Sequence, residues 1–303
     1  MAPSAAGPRY RLSASDCPEV DGEHTGAPSA CRRESRPDAR GLVARVGVLA
    51  HPDVDGTGRN DAVSRDARTE RRIEGIDAGP RALPRVDHAD PPNGIVRSTA
   101  LEIVKGHSTP LAQARAIYDW IVDNTFRDPA VKGCGLGDIR WMLESRSFGG
   151  KCADLNALFV GLCRSAGLPA RDLYGLRVGE SRSFKSLGRS GDITASQHCR
   201  AEVYVAGIGW IPVDPADVRK VALEEEPGAP ITSAHVRRAR ADMFGSWEMN
   251  WIAFNDAHDV VLPGSTGKPL PFLMYPHAEV AGVRKDSLEP AAFTYRITAE
   301  EVV

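Results

Sequence analysis

Hydrophobic positions take on a regular helical spacing from about residue 108 onward. The triplet Ser108-Thr109-Pro110 has the composition of a helix cap with proline in the first turn. The apolar face that follows consists of Leu111, Ala114, Ile117, Tyr118, Ile121 and Val122. Asp138 precedes a shorter apolar group made of Ile139, Trp141, Met142 and Leu143. The pattern therefore predicts two helices, one beginning after residues 108–110 and one capped by Asp138.

A third helix is predicted from about Cys152 to Ala166. Gly149 and Gly150 permit a tight turn before it, and Gly167 ends it. Its buried stripe consists of Leu155, Leu158, Phe159, Leu162, Cys163 and Ala166. Cys152 therefore opens an amphipathic helix and precedes the stripe that the helix buries.

Strand patterns follow this helix. Residues 171–178 predict one strand, residues 180–196 a loop, and residues 198–205 and 210–213 two strands of a hairpin joined at 206–209. Weaker strand patterns occur at 247–254, 260–262 and near 293–297. Because helices precede strands along the chain, the predicted class is α+β.

The first 95 residues have a different composition. Tyr10 is their one aromatic residue, and only Gly41–Ala50 has the pattern of a strand. Such a segment buries too little apolar surface to offset its ordering entropy. We expect residues 1–95 to be a poorly ordered, non-catalytic extension and residues 96–303 to form the catalytic domain with a β-rich C-terminal portion.

Charge and composition exclude several classes of function. The net charge of the 303 residues is −2, so nothing favours nucleic acid or an anionic membrane as a partner. No apolar run is long enough to span a bilayer, and residues 1–15 lack the apolar core of a signal peptide. A cytoplasmic location is therefore the default expectation. The six cysteines have neither C-x-x-C pairs nor metal-ligand spacing, which argues against a disulfide framework.

Cys152 is the candidate nucleophile. A thiolate is the reactive form, and the N–H groups and dipole of a helix N-terminus favour a negative charge there. The alternative is a small buried hydrophobic residue, the usual fate of a free cysteine. Cys163, on the apolar stripe, fits that alternative, whereas Cys152 precedes the stripe.

His198 and Asp214 complete a possible triad. His198 begins one strand of the hairpin and Asp214 ends the other, so antiparallel pairing brings them close together. A carboxylate that holds the imidazole tautomer is the third part of such a site. Taken alone, His198 is an ordinary polar strand residue and Asp214-Pro215 an ordinary turn; taken as an ordered set with Cys152, they favour catalysis.

The stretch from about Leu111 to Ala216 resembles the transglutaminase-like superfamily, which has a papain-like fold. Four ordered motifs carry this resemblance: Gly150-Lys151-Cys152-Ala153-Asp154, Ala166-Gly167-Leu168-Pro169-Ala170-Arg171, a strand running from His198 through Glu202-Val203-Tyr204, and Gly209-Trp210-Ile211-Pro212-Val213-Asp214-Pro215. The resemblance implies that Cys152 is the nucleophile, His198 the base and Asp214 the residue that orients it. It also implies a helical part packed on an antiparallel sheet. Arg200 stands where the family often has an aromatic residue, and Ala216 where it often has threonine.

The resemblance implies acyl transfer through a thioester. Bacterial relatives of the cysteine peptidase type, which are often exported, suggest hydrolysis of a peptide or amide bond in a peptide or protein substrate. Transfer to an amine and a non-catalytic binding scaffold stay as alternatives. The calcium-binding elements of animal transglutaminases are not apparent, so no metal or cofactor is expected. A zinc site of Cys152, His198 and Cys199 is disfavoured because adjacent strand residues point to opposite faces.

Other polar residues receive no catalytic role from the sequence. Glu224, Glu225 and Glu226 have the pattern of a solvated patch, and His235, His258 and His277 have no partner pattern. Asp154 is interpreted as structural. The aromatic residues Trp247, Trp251 and Phe254 are expected in the core in preference to the cleft.

Overall fold

The structure, a computed structural model, describes residues 9–13 and 94–302. Its α-helices are α1 (Ile95–Ile103), α2 (Pro110–Asn124), α3 (Ile139–Ser145), α4 (Cys152–Ser165), α5 (Pro215–Glu224) and α6 (Ala234–Asp242). A short 3-10 helix covers Lys185–Leu187. Among the described residues, no helix is both long enough and apolar enough to cross a membrane.

The strands form one central antiparallel sheet and several smaller pairings. The strands are β1 (Arg9–Ser13), β2 (Phe126–Arg127), β3 (Gly149–Gly150), β4 (Ala170–Arg177), β5 (Gly191–Asp192), β6 (Gln197–Val205), β7 (Gly209–Val213), β8 (Trp251–Asn255), β9 (His258–Val260), β10 (Leu270–Phe272), β11 (Ala278–Val280), β12 (Val283–Lys285) and β13 (Thr298–Val302). The central sheet has the order β7-β6-β4-β8. In its hairpin, Ala201 of β6 faces Val213 of β7.

The predicted caps form as the sequence indicates. The Thr109 hydroxyl accepts a hydrogen bond of 3.2 Å from the N–H of Ala112, and a carboxyl oxygen of Asp138 accepts one of 3.0 Å from the N–H of Trp141. The predicted apolar faces are buried except for Ile139, which is half-buried, and Leu111 and Trp141, which are exposed. Proline at the first position of α2 loses no intrahelical bond, because that N–H has no acceptor within a helix.

Helix α4 lies at the centre of the main hydrophobic core. It packs on β6 and also contacts α1, α2 and α5. Leu158, Phe159, Leu162 and Cys163 have no exposed surface, so the predicted stripe is confirmed. Gly161 permits a close approach to α3, since a Cβ there would lie 2.1 Å from Cδ1 of Ile139. A helix surrounded in this way holds its first residue in a fixed position.

The α+β class is confirmed. The structure differs from the sequence-based prediction in segments whose hydrophobic pattern is weak. Helices α1, α5 and α6 were not predicted; α5 and α6 have low mean hydropathy and bury few apolar residues each. The last strand lies at Thr298–Val302 instead of residues 293–297. It pairs over five residues with Arg9–Ser13, a strand that the composition of the N-terminal region did not predict. The predicted strand Gly41–Ala50 lies outside the described residues.

Candidate active site

Cys152 is the first residue of α4 and is 4% exposed. Asp154, two residues later, accepts hydrogen bonds of 2.9 Å from the N–H groups of Lys151, Leu136 and Gly137. It therefore ties the turn before the helix to the loop at 133–137, as expected for a structural residue. Gly135 fits against this carboxylate at φ +98°, where a Cβ would collide with Asp154.

His198 and Asp214 meet at one end of the central sheet. The Nε2 atom of His198 lies 2.7 Å from Oδ2 of Asp214, and both side chains are buried. Asp214 is also the N-cap of α5, because its Oδ1 accepts a hydrogen bond of 3.0 Å from the N–H of Asp217. Asn156 of α4 donates to the same oxygen at 3.3 Å and to the carbonyl of Cys199 at 2.8 Å. These contacts fix the carboxylate, which occupies Nε2 of His198.

A second carboxylate, which sequence reasoning missed, lies beside the histidine. Oδ1 of Asp217 is 3.4 Å from Nε2 of His198 and 2.5 Å from a guanidinium nitrogen of Arg177. Both residues are almost fully buried. The i, i+3 spacing of Asp214 and Asp217 was a usable signal, since it puts both at the first turn of one helix, but α5 itself was not predicted.

Arg200, one of the two positions at which the chain departs from the pattern that the family often has, is buried against two tryptophans. Its guanidinium is 1% exposed and lies 4.9 Å from the ring centre of Trp251 and 5.4 Å from that of Trp247. Its Nε lies 3.7 Å from Oδ2 of Asp214. Trp251 also donates its indole N–H to the carbonyl of His198 at 2.8 Å. Both tryptophans are thus buried, as expected for core residues, and Trp251 holds the backbone of His198.

The charges around His198 favour its protonated form. Burial and Arg177 lower the pKa of His198, but Asp217 and Asp214 outweigh them, so the pKa of His198 is raised. Burial alone would raise the pKa of Asp217, but Arg177, His198 and Arg200 hold it well below its usual range. Burial and the neighbouring Asp217 raise the pKa of Asp214. An imidazolium is therefore well matched to this pair of carboxyl groups.

The Cys152 thiol has two further thiols as neighbours. Hydrogen bonds with Cys134 and Cys199 lower the pKa of Cys152, burial raises it, and His198 lowers it again, with a net shift well below the usual range. The hydrogen bond with Cys152 and burial raise the pKa of Cys134, and burial and Cys152 raise that of Cys199. Cys152 is therefore the thiol of this cluster whose pKa is lowered, whereas the pKa values of Cys134 and Cys199 are raised. Burial raises the pKa of Cys163, as expected for an unreactive core thiol.

A cleft of about 670 Å³ opens onto Cys152 and His198. This volume is typical of a small-ligand or peptide site. Residues from the loop 185–197 and from the segment 287–295 form its walls, together with Tyr275 and the residues around Cys134. Trp247, Trp251 and Phe254 do not line it.

Within the described residues, the metal-ligating atoms that lie within 4.8 Å of one another belong to His198, Asp214 and Asp217. Arg177 and Arg200 already neutralise these two carboxylates, so a divalent cation there would face two guanidinium groups. The set of Cys152, Cys199 and His198 does not form such a group. The donor atoms present do not fit a resident metal.

Three polar residues have partners that the sequence did not predict. Glu224 pairs with Arg127 at 3.0 Å, and Glu225 pairs with His235 at 2.8 Å. Glu226 accepts a hydrogen bond from the Ser233 hydroxyl. Glu224 is exposed, as expected for a solvated patch, whereas Glu225 and Glu226 are half-buried because this segment contacts the loop at 185–187 and α6.

His258 also has a partner: its Nε2 lies 3.5 Å from Oδ2 of Asp172 on β4.

Comparisons with known proteins show the family to which the chain belongs. Residues 97–215 match the family model described as the transglutaminase-like superfamily. The chain is 34% identical over 278 residues to an uncharacterized protein of Haemophilus influenzae, covering 81% of this chain and 75% of that protein. The chain belongs to the transglutaminase-like superfamily. Its α+β architecture is therefore the papain-like, transglutaminase-core fold.

Solved structures with a partial likeness include the periplasmic domain of TgpA from Pseudomonas aeruginosa, with a TM-score of 0.33 and 22% identity over 50% of this chain and 48% of that chain. Red sea bream transglutaminase has a TM-score of 0.32 and 15% identity over 50% of this chain and 32% of that chain. This chain thus spans less than half the length of either structure.

Proposed function

We propose that the protein is a thiol-dependent acyl-transfer enzyme that uses Cys152, His198 and Asp214 and hydrolyses a peptide or amide bond. The observation that carries the proposal is the pairing of a low-pKa thiol at a helix N-terminus with an imidazole held by a buried carboxylate 2.7 Å away, at the edge of an open cleft. A thiol that only filled the core would have a raised pKa, as Cys163 has.

The chemistry uses the chain's own residues. The Cys152 thiolate attacks the carbonyl carbon, the C–S bond forms, and the protonated His198 gives its proton to the departing amine as the C–N bond breaks. The N–H of Cys152, at the first helical position, has no acceptor within its helix and suits the developing oxyanion. The N–H of Ala153 is occupied by the carbonyl of Cys134 at 2.8 Å. Water, deprotonated by His198, then attacks the thioester and releases the acid.

Transfer to an amine is the second candidate because it shares the same thioester. Incubation with a peptide library, with and without a primary amine, followed by mass spectrometry distinguishes the two. We expect hydrolysis products in both samples and no product with Cys152→Ala. Amine adducts in place of free acids would favour transfer. If Cys152 is alkylated no faster than a free thiol at neutral pH and neither product forms, the protein is a non-catalytic binding scaffold.

A further inference from the structure

The walls of the cleft are strongly basic. Among the described residues that line it, six side chains are cationic and one is a carboxylate: Arg127, Lys151, Arg177, Lys185, Arg189 and Lys220, against Glu224. The chain as a whole has slightly more acidic than basic residues, with a net charge of −2. The positive charge is therefore a local property of the site.

Three of the cations have a carboxylate partner. Arg177 pairs with Asp217 at 2.5 Å. Glu224 lies 3.0 Å from Arg127 and 3.7 Å from Lys220, so one carboxylate serves two cations.

The other three differ in this respect. Lys151, Lys185 and Arg189 form no ion pair with any carboxylate in the described ranges 9–13 and 94–302. We refer to these three residues as the basic cluster. Lys151 immediately precedes Cys152, and Lys185 and Arg189 are exposed on the opposite loop.

The loop that carries Lys185 and Arg189 is held in place by buried contacts. Its residues Ser186 and Leu187 accept hydrogen bonds through their carbonyls, from Lys220 at 2.5 Å and from Arg177 at 2.7 Å. The N–H and hydroxyl of Ser186 both donate to Glu225, at 2.7 and 2.6 Å. Lys185 and Arg189 therefore flank a turn that is held by hydrogen bonds, so their positive charge lies at a defined wall of the cleft.

Building on the proposed function, we propose that the acyl donor carries a carboxylate close to the scissile amide and that the basic cluster binds it. Several positive charges along a concave wall create a focused positive electrostatic potential. This potential raises the local concentration of an anionic substrate. The chemical class is an acidic peptide. Its carboxylate is either an aspartate or glutamate side chain or the free C-terminus.

The first test uses two alkylating agents that differ in charge. Iodoacetate is anionic and iodoacetamide is neutral; the Cys152 thiolate attacks the CH₂ carbon of either reagent, an S–C bond forms as the C–I bond breaks, and the carboxymethyl or carbamoylmethyl group is transferred. We expect the iodoacetate-to-iodoacetamide rate ratio at Cys152, followed by peptide mapping of the full chain, to fall roughly 3- to 10-fold in Lys185→Glu/Arg189→Glu, from screened Coulomb interactions at a protein surface. High salt should lower the wild-type ratio in the same direction.

The matched control is Arg237→Glu/Lys268→Glu, which makes the same charge change at two exposed residues that do not line the cleft. It should keep the wild-type ratio. The milder Lys185→Gln/Arg189→Gln should give an intermediate ratio. Equal ratios in the wild type and the Lys185/Arg189 variants would overturn the proposal. The iodoacetamide rate alone tests the reactive thiol, so a failure of the proposed function is seen separately.

A second test distinguishes the two sources of the carboxylate. The first set consists of N-terminally blocked, C-terminally amidated peptides with aspartate beside each peptide bond, and its control peptides have serine in place of aspartate. The second set has neutral residues throughout and a free C-terminal carboxylate. We expect kcat/KM to be higher for one acidic set than for neutral peptides, and this advantage to disappear in Lys185→Glu/Arg189→Glu. Equal kcat/KM for neutral and acidic peptides in the wild type would refute the proposal.

Discussion

The reactivity of Cys152 depends on several close neighbours acting together. Cys134 and Cys199 share hydrogen bonds with its sulfur, and His198 adds both a hydrogen bond and charge attraction. Burial opposes all of them. A thiolate in this position is stable only because donors replace the water that burial removes.

Cys134→Ala should raise the pKa of Cys152, because the hydrogen bond with Cys134 is the largest contribution that lowers it. The rate of alkylation of Cys152 by iodoacetamide, measured against pH, should rise at a higher pH than in the wild type. Cys163→Ala is the control, since this thiol lies in the core and its pKa is set by burial. If the two variants give the same profile as the wild type, Cys134 has no influence on the nucleophile.

Asp214→Asn should lower kcat by on the order of 10³–10⁴, because an amide neither holds the imidazole tautomer nor stabilises the imidazolium. The N-cap hydrogen bond to Asp217 survives, since the amide oxygen still accepts it. The thermal midpoint should therefore change much less than the rate. Asp192→Asn, on the exposed strand β5, is the matched control. A loss of less than tenfold for Asp214→Asn would argue against its role as the residue that orients His198.

At the scale of elements, sequence patterns predicted those parts whose signals are local. The caps at Thr109 and Asp138, the stripe of α4 and the hairpin of β6 and β7 all have the predicted positions. Each depends on residues close in sequence. Because the hairpin register follows from its short turn, the proximity of His198 and Asp214 was predictable.

Long-range contacts were not predictable in this way. Arg177 reaches Asp217 across 40 positions, and Cys134 reaches Cys152 only because the loop at 133–137 folds over α4. Asp217 has a local signal in its i, i+3 spacing from Asp214, but nothing in the local spacing of Arg177 or Cys134 indicates these contacts. The electrostatic surroundings of the site are therefore a property of the tertiary structure.

Strand β4 contains a buried carboxyl group that should make stability depend on pH. Burial raises the pKa of Asp172 to about 7, with Arg164 opposing the shift. In the unfolded chain the pKa of this carboxyl group is about 3.9. Between these pH values folding takes up a proton. The stabilisation that Asp172 contributes to the free energy of unfolding therefore falls as the pH rises from about 4 to 7 and is lost above that.

Asp172→Asn should therefore raise the thermal midpoint at pH 8 relative to the wild type and have little effect at pH 4. Asparagine keeps the shape and does not titrate, and the nearby His258 is present in both proteins. Thermal unfolding of both proteins at pH 4, 6 and 8 tests this. A difference that stays constant over the three pH values would show that Asp172 is charged in the folded protein, with its charge compensated by neighbours.

At the scale of the whole molecule, every described member of the hydrophobic clusters lies between residues 95 and 299. The main cluster contains the buried residues of α4, including its first residue, Cys152, together with the inner face of β6. Folding of the candidate site thus depends on the same core as folding of the domain. The contribution of the N-terminal region to the described structure is the pairing of β1 with β13.

Removal of residues 1–93 should leave residues 94–303 folded, because the described core stays complete and Val96 of α1, a buried residue, is retained. The loss of β1 leaves β13 with its short pairing to β5, so we expect a lower thermal midpoint with an unchanged helical circular dichroism signal. Removal of residues 1–8 alone keeps β1 and is the control. It should have the wild-type midpoint. An aggregated or unfolded 94–303 fragment would mean that the first 93 residues are part of the folding unit, and that the predicted division of the chain at residue 95 is wrong.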